Sequence, residues 1–457
     1  MFLSDLHRIY FLGIGGIGMS SLARYFHAKG VKVSGYDKTP TALTNRLQSE
    51  GIDIHFEDDI TKIPDDIDLV IYTPAIPVEL NEFRHIKKSG IKIKKRSEVL
   101  GKLTQNKKAI AVAGTHGKTT VSTLIAYLLK QSEVDCNALL GGIAKNYDSN
   151  FLISEKSDWM VVEADEFDKS FLQLHPLIEV ITSADADHLD IYSNINNLKN
   201  SFGKFAAQIR KDGTIIIKKG VEINLGQVPD CRIFEYALDE QTDFFADNIR
   251  LKNEFYEFDF VTPEETIKNI VLGIPGLINV ENAVAALAVA WLAGVTEYEM
   301  KAALPLFSGI KRRFDYQVKS EKIIYIDDYA HHPEEIRSFV MSVKKLYPGK
   351  KILGVFQPHL FSRTRDFAGG FAESLELLDE IILMPVYPAR EKPIEGVGSE
   401  MILDKIAKPG KLLSSKENLI NNIAVKEFDI LLTLGAGDID QMVLPIKHYL
   451  TKTEQTK

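Results

Sequence analysis

Cysteine is almost absent: Cys136 and Cys231 are the only two in 457 residues. They stand far apart and match no metal-ligand spacing, which excludes a disulfide scaffold and a zinc module and points to a reducing cytoplasm. Long apolar runs are missing too. None reaches the ~20 residues that a membrane-spanning helix requires, and the longest, Ala283 to Val295, is Ala-rich and reads as a buried helix. Positive charge is not in excess, since 55 Lys and Arg against 63 Asp and Glu leave a net charge of −8. That balance disfavours nonspecific nucleic-acid binding. There is no short-period repeat and no low-complexity segment before the polar tail that follows Leu450.

What is present is ordinary for a soluble globular chain, at 45% hydrophobic and 26% charged residues. The length exceeds what one core supports, so several domains are expected. His7-Arg8 before an apolar stretch superficially resembles a signal peptide. The glycines that follow are spaced for a turn, and a second strand pattern succeeds them with no cleavage-like site.

Three blocks follow along the chain, with expected boundaries at 1–105, 106–312 and 313–457. In the first, strand-like runs Arg8 to Leu12, Val31 to Tyr36 and Leu69 to Tyr72 alternate with helical segments Met19 to Lys29 and Leu43 to Glu50. Such alternation predicts a Rossmann-like parallel sheet with right-handed crossovers. The second block has strands Ala109 to Ala113, Trp159 to Val162, Val180 to Thr182 and Gly213 to Ile217, predicting a P-loop ATPase-like, mostly parallel sheet. Residues 220–272 hold short β-like pieces, Cys231 to Tyr236 and Phe255 to Phe260, read as a small antiparallel flank. The third block has strands Lys322 to Ile326, Lys351 to Phe356, Glu380 to Met384 and Ile430 to Leu434, with a helix at Pro333 to Leu346. It predicts a second Rossmann-like sheet, and the chain as a whole is α/β.

Gly114-Thr115-His116-Gly117-Lys118-Thr119-Thr120 lies between an apolar strand and a helix. That order makes a phosphate cradle: backbone N–H groups and the helix dipole face the anion, the lysine reaches terminal phosphates, and the following hydroxyl can hold Mg²⁺. The spacing is shorter than the usual four residues between the first glycine and Gly-Lys, because Val112 stands where that pattern places glycine. The plainer alternative is a helix N-cap with a surface lysine.

Gly13-Ile14-Gly15-Gly16-Ile17-Gly18 fits G-x-G-x-x-G, with Asp37 at the end of the next strand as a candidate ribose-binding acid. Alone it suggests a nicotinamide-dependent oxidoreductase, although a UDP-sugar presents the same pyrophosphate. Glu163-Ala-Asp-Glu-Phe-Asp168 follows a strand, where a Mg²⁺-binding acid belongs, and its four carboxylates would repel one another without a cation. Asp185-Ala-Asp-His-Leu-Asp190 offers Asp187, Asp190 and His188 as further ligands, although a hard cation prefers oxygen to imidazole. Asp327 to Pro333 and Gln357 to Arg365 both follow strands, where open α/β sheets bind ligands. Arg363 and Arg365 can each grip a carboxylate or phosphate.

Together these stretches, with Asn279 to Asn282 and Arg312-Arg313-Phe314, resemble the Mur ligases over nearly the whole chain. The resemblance implies a first domain that binds a UDP-sugar, a second that binds ATP, and a third that binds an amino acid and closes over the site. It implies phosphorylation of the lactyl carboxylate of UDP-N-acetylmuramate by ATP with Mg²⁺, then attack by the amine of L-alanine on the acyl phosphate. By similarity, Gly15, Gly16, Ile17, Gly18, Met19 and Ser20 cradle the UDP pyrophosphate. Thr119, Glu163 and His188 hold metal. Lys118, with Gly114 to Thr120, and Asn279, Arg313 and Asp328 serve ATP. His332, His359 and Arg363 shape the amino-acid site, and Lys118, His188 and His332 are the implied catalytic residues. A monomer or homodimer, without nucleic acid or membrane insertion, is expected.

Two departures stand out. Ile278 replaces a histidine frequent before the first Asn of the family's Asn-x-x-Asn element, and no position matches the lysine that is carbamylated in sister ligases. Rival readings are a recycling ligase that adds a tripeptide, the oxidoreductase, and a non-catalytic nucleotide-binding regulator. Asp187-His-Leu-Asp-Ile-Tyr192 and Gln357-Pro-His359 are similar to the alanine-adding branch.

Overall fold

A computed structural model describes residues 6–185, 189–192, 194–389 and 391–455, without the side chains of residues 189, 190, 454 and 455. The chain divides into two units, Met1–Ile274 with Asn279–Ser308, and Pro275–Ile278 with Gly309–Lys457.

The first unit holds three sheets. A five-stranded parallel sheet runs, edge to edge, Asp53–His55, Lys32–Tyr36, Arg8–Leu12, Leu69–Tyr72 and Ile93–Lys95. The chain order of these strands reverses beside Arg8–Leu12, the topological switch point where such sheets bind ligands. A seven-stranded sheet follows in the order Arg232–Tyr236, Thr214–Lys218, Ile178–Ile181, Lys108–Ala113, Trp159–Ala164, Asn137–Ala144 and Ser149–Leu152, with only the last pair antiparallel. Its central strands are apolar apart from Lys108, Glu163 and Glu179, as befits strands covered on both faces. A separate antiparallel meander comprises Phe245–Lys252, Phe255–Val261 and Thr266–Val271.

The expected antiparallel flank is therefore smaller than the sequence suggested. Arg232–Tyr236 pairs in parallel with Thr214–Lys218 and closes the edge of the seven-stranded sheet. As an edge strand it leaves Ile233 43% exposed. Its mixed pattern arises from that edge position, and pairing direction is a tertiary outcome that strand propensity does not encode.

One continuous core joins the first two sheets, running from Phe11 and Leu22 through Val99 and Leu100 to Met160, Phe171 and Phe202. Phe171 stacks on Phe205 at 5.0 Å and meets Phe202 edge-on at 5.3 Å. A polar clasp reinforces the join. Arg24 holds Glu50 through two bonds of 2.7 Å and donates to Ser149 Oγ at 2.7 Å, while Asn150 Nδ2 donates to the Ile17 carbonyl at 2.7 Å. The helix Ile17–Ala28, which begins at the first glycine loop, is thereby locked to the edge of the second sheet.

The second unit has a six-stranded sheet ordered Asp315–Lys319, Ile324–Asp328, Ile430–Leu434, Ile352–Phe356, Glu380–Leu383 and Lys411–Leu413. The first pair is antiparallel and the others parallel. Separate apolar cores cover its two faces.

Glu179 is anomalous. It sits inside the strand Ile178–Ile181, fully buried, and neither carboxyl oxygen has a hydrogen-bond partner among the described residues. Desolvation raises its pKa well above 4.5, so the neutral acid is favoured. A folded pKa above the unfolded value means that the folded state holds the proton more tightly. The associated stability is present below pH 4.5 and lost as pH rises through the folded pKa. Urea unfolding across pH 4–8 should thus show wild-type stability falling with pH relative to Glu179→Gln, and parallel curves would refute a buried neutral acid.

Candidate functional site

The second phosphate-type loop begins where the strand Lys108–Ala113 ends. Gly114 has φ +142°, and a Cβ there would lie 2.0 Å from Thr182 Oγ1 and 2.8 Å from the Ser183 nitrogen, so only glycine fits. Thr182 and Ser183, just after the neighbouring strand, staple the loop. Thr115 Oγ1 meets Ser183 Oγ at 2.9 Å, the His116 amide donates to Ser183 Oγ at 2.8 Å, and Thr182 Oγ1 donates to the Ala113 and His116 carbonyls. Gly117, in the left-handed region at φ +82°, then launches the helix Lys118–Lys130. Thr120 is half-buried in its first turn.

Lys118 is held inside this loop. Its Nζ donates to the Gly114 carbonyl at 2.5 Å and lies 2.9 and 2.8 Å from the two carboxylate oxygens of fully buried Glu166. Burial opposes the ammonium, but the carboxylates of Glu166, Asp165 and Glu163 outweigh it and raise the lysine's pKa. Thr119 Oγ1 donates to Glu163 Oε2 at 2.9 Å. Asn282 Nδ2 donates to Asn279 Oδ1 at 3.3 Å, and Asn282 Oδ1 lies 3.0 Å from the Cβ position of Gly117. The Asn-x-x-Asn element therefore abuts the phosphate loop.

The repulsion expected within the acidic run is relieved by the chain's own cations. Lys118 takes Glu166, Lys95 takes Asp168 at 2.9 Å, and Arg96 approaches Asp165 at 3.9 Å. Among the described residues no cluster of three His, Cys, Asp or Glu side chains is arranged to hold a metal. The Thr119 hydroxyl and Glu163 carboxylate do form an adjacent pair of oxygen donors, which suits a hard cation completed by phosphate and water. Asp187 and His188 lie outside the described residues, as does the side chain of Asp190. Asp185 Oδ2 lies 3.9 Å from His116 Nε2.

At the first glycine loop, Gly13 has φ +84° and its amide donates to the Tyr36 carbonyl at 2.8 Å. Asp37 Oδ2 accepts from the Gly15 amide at 2.7 Å, and a Cβ at Gly15 would sit 2.8 Å from that oxygen. Asp37 thus shapes the loop that it was expected to accompany as a ribose ligand. Gly16, Ile17, Gly18 and Met19 line a cavity of about 270 Å³. Ser20 does not line it: its hydroxyl is buried, donating to the Ile17 carbonyl and accepting from Asn150. The opposite wall includes Gly141, Glu163 and Asp165, so one cavity joins the first glycine loop to the acidic strand end.

In the second unit, Asp328 accepts from the Phe314 and Ala330 amides at 2.7 and 2.8 Å. Burial raises its pKa to about 6 against the opposing pull of Arg313 and these amides. Its carboxylate fixes the Arg312-Arg313-Phe314 turn, in which Arg312 and Phe314 have positive φ of 63° and 46°. Arg312 and Arg313 both lie 5.2 Å over the Tyr329 ring. His331 is lowered to about 4 by burial, which Glu335 only partly offsets, so it is neutral at physiological pH. It faces His359 with ring centroids 6.1 Å apart. His332 precedes the helix Pro333–Leu346 and packs on Phe367 at 4.8 Å. Arg363 stands on the helix Phe361–Leu375, and its charge contributes to the lowering at His331. Arg365 instead binds Asp366 at 2.7 Å and is half exposed.

Several contributors were not read from the sequence. Tyr387 stacks on His359 at 5.8 Å, and Glu391 accepts from the Ser362 amide at 2.9 Å, capping the helix that carries Arg363. Gly435, Gly437 and Asp438 were missed too: Gln357, itself the head of a motif read from the sequence, bridges the Ile439 amide and Asp438 at 2.8 and 2.7 Å, packed against the two glycines. Gly141 and Arg96 complete the cavity. Only the Gly435-Ala-Gly-Asp438 turn at a strand end carried a readable signal.

Three family descriptions match the chain in succession: "Mur ligase family, catalytic domain" over residues 8–108, "Mur ligase middle domain" over 112–290, and "Mur ligase, glutamate ligase domain" over 312–437. The chain belongs to the Mur ligase family. Among its relatives, UDP-N-acetylmuramate–L-alanine ligase of Parabacteroides distasonis is 50% identical over 458 residues, covering 99% of each chain. The enzyme of that name from Porphyromonas gingivalis is 49% identical, covering 97% of this chain and 99% of its own. The crystal structure of the UDP-N-acetylmuramate–alanine ligase of Thermotoga maritima superposes with TM-score 0.83 at 27% identity, covering 98% of this chain and 100% of that one.

A Cβ at Gly141 would lie 2.1 Å from Glu163 Oε2. Gly141→Ala should therefore displace the Glu163 carboxylate from Thr119 and cut phosphate release at least about tenfold, a loss on the scale of one misplaced catalytic group. Calorimetric melting should shift by only a few degrees. Unchanged turnover would show that Glu163 need not sit where it does.

Proposed function

We propose that this protein joins L-alanine to the lactyl carboxylate of UDP-N-acetylmuramate, consuming ATP and yielding UDP-N-acetylmuramoyl-L-alanine, ADP and phosphate. The product is a cytoplasmic precursor of peptidoglycan, and so serves cell-wall biogenesis and division. The observation that carries this reading is the single cavity lined by both Gly16–Gly18 and Glu163, which neighbours the Lys118 loop. A UDP-sugar seated on the first loop extends toward the phosphate donor on the second. Full-length relatives at 50% and 49% identity bear the name of this activity.

A free carboxylate does not acylate an amine in neutral water, because its oxygen is a poor leaving group. Transfer of the γ-phosphoryl group makes that oxygen a phosphate, and the amine then expels it through a tetrahedral intermediate. Lys118 is poised to exchange Glu166 for the transferring phosphoryl group and to offset its charge. Gly114 to Thr120, with Asn279, position ATP. Thr119 and Glu163, with His188, would hold Mg²⁺, which would supply charge neutralisation at the phosphates. Residues 1–105 bind the UDP-sugar, 106–312 ATP and 313–457 the amino acid. In that last part Arg313 and Asp328 serve the nucleotide, and His332, His359 and Arg363 the amino acid.

The oxidoreductase reading loses its support at Asp37, whose carboxylate is turned back onto the Gly15 amide. A murein peptide ligase of Psychrobacter arcticus shares the fold, with TM-score 0.73 at 24% identity. Phosphate release with UDP-N-acetylmuramate should be stimulated by L-alanine and not by the tripeptide, and the reverse would transfer the chain to the recycling activity. Lys118→Ala should lower phosphate release by at least about 10³-fold, the scale of a phosphoryl-clamping group, while UDP-N-acetylmuramate still binds in calorimetry. Near-normal release by that variant would remove Lys118 from the chemistry.

A further inference from the structure

Among the described residues, Arg96 is the one cationic side chain lining the cavity between the first glycine loop and Glu163. It opens the helix Arg96–Gln105, whose start is anchored by Glu98 accepting from the Lys95 amide at 2.8 Å. Its guanidinium packs directly against Gly18: a Cβ there would lie 2.9 Å from Nη1, 3.2 Å from Cζ and 3.4 Å from Nε. A Cβ at this last glycine of the G-x-G-x-x-G run would therefore push aside the end of an arginine side chain 78 positions downstream. Arg96 is 22% exposed, and its one ion pair among the described residues is Asp165, at 3.9 Å, beyond hydrogen-bond range. Among the described residues, a guanidinium with five donors thus lines the cavity with one loose ion pair.

We infer that Arg96 is a substrate-binding residue that grips the diphosphate of the UDP-sugar in bidentate fashion, leaving Asp165 when the substrate enters. The inference rests on the reading of Gly15 to Gly18 as the UDP-sugar seat and adds to it a side-chain cation. The amides at the start of the helix Ile17–Ala28 meet the diphosphate from one side, and no acidic residue stands in that first turn. They supply partial charges only. The cavity's other ionisable groups among the described residues, Glu163 and Asp165, are carboxylates that repel a diphosphate. Arg96 is the group present to balance it, and its planar fork matches two phosphate oxygens in a way that a lysine does not. Its place against Gly18 sets it at the diphosphate end of the cavity. The carboxylate to be activated belongs at the Glu163 end.

The test compares wild type, Arg96→Ala, Arg96→Lys and Gly18→Ala by calorimetric binding of UDP-N-acetylmuramate and of UDP alone, with steady-state constants for each substrate. Arg96→Ala should weaken binding of both UDP-N-acetylmuramate and UDP at least 30-fold, raising KM for the UDP-sugar while KM for ATP and L-alanine stays within twofold. Arg96→Lys should recover part of the loss. Gly18→Ala, which keeps Arg96 but pushes it aside, should reproduce the defect at an unchanged melting temperature. If UDP binding is unaffected while UDP-N-acetylmuramate binding falls, Arg96 grips the lactyl carboxylate and the diphosphate assignment is overturned. If wild type binds UDP-N-acetylmuramate and Arg96→Ala binds it equally well, the role of Arg96 is overturned while the ligase reading stands. If wild type binds no UDP-sugar, the ligase reading itself fails.

Discussion

The buried pair of Lys118 and Glu166 is the interaction on which the central site depends. The two residues come from loops after adjacent parallel strands, Lys108–Ala113 and Trp159–Ala164, so the pair exists only because the sheet sets those strand ends side by side. An ammonium in that loop without a counter-charge would be strongly destabilised. Glu166 supplies the charge and also spreads the acidic run, leaving Glu163 to meet Thr119 and Asp165 to face the cavity. On the proposed reading, a phosphoryl group arriving at Lys118 would replace one anion by another, so the lysine would stay charged throughout.

The join between the first two sheets has the same logic at larger scale. Arg24 and Asn150 tie the helix behind the first glycine loop to the edge strand Ser149–Leu152, over a continuous apolar core. The cavity that the loop shares with Glu163 is consequently a feature of one packed body. Proximity of two substrates is worth several orders of magnitude in rate when their seats are held in register, and this core joins the two loops proposed as those seats.

In the second unit, backbone control does comparable work. Asp328 spends its carboxylate on two amides, and Glu391 caps a helix from 29 residues away. Leu360, at φ +70°, and the positive-φ pair Arg312 and Phe314 are uncommon conformations for side-chain-bearing residues. Such strain persists where surrounding bonds over-determine it, and it gathers beside His359 and Arg313.

The sequence by itself determined the α/β class, the three blocks, both glycine loops and the strand-end placement of the acidic and histidine motifs. Those are local facts: an apolar run, a glycine at a tight turn and a helical period are legible within about fifteen residues. Tertiary structure alone decided which partner each charged group takes. It put Arg232–Tyr236 in parallel at a sheet edge and turned Asp37 onto Gly15. It brought Arg96 over Gly18, Gly141 against Glu163, and Lys118 onto Glu166. Each of these joins segments tens of residues apart in the chain, and no local pattern of residues records a distance through space.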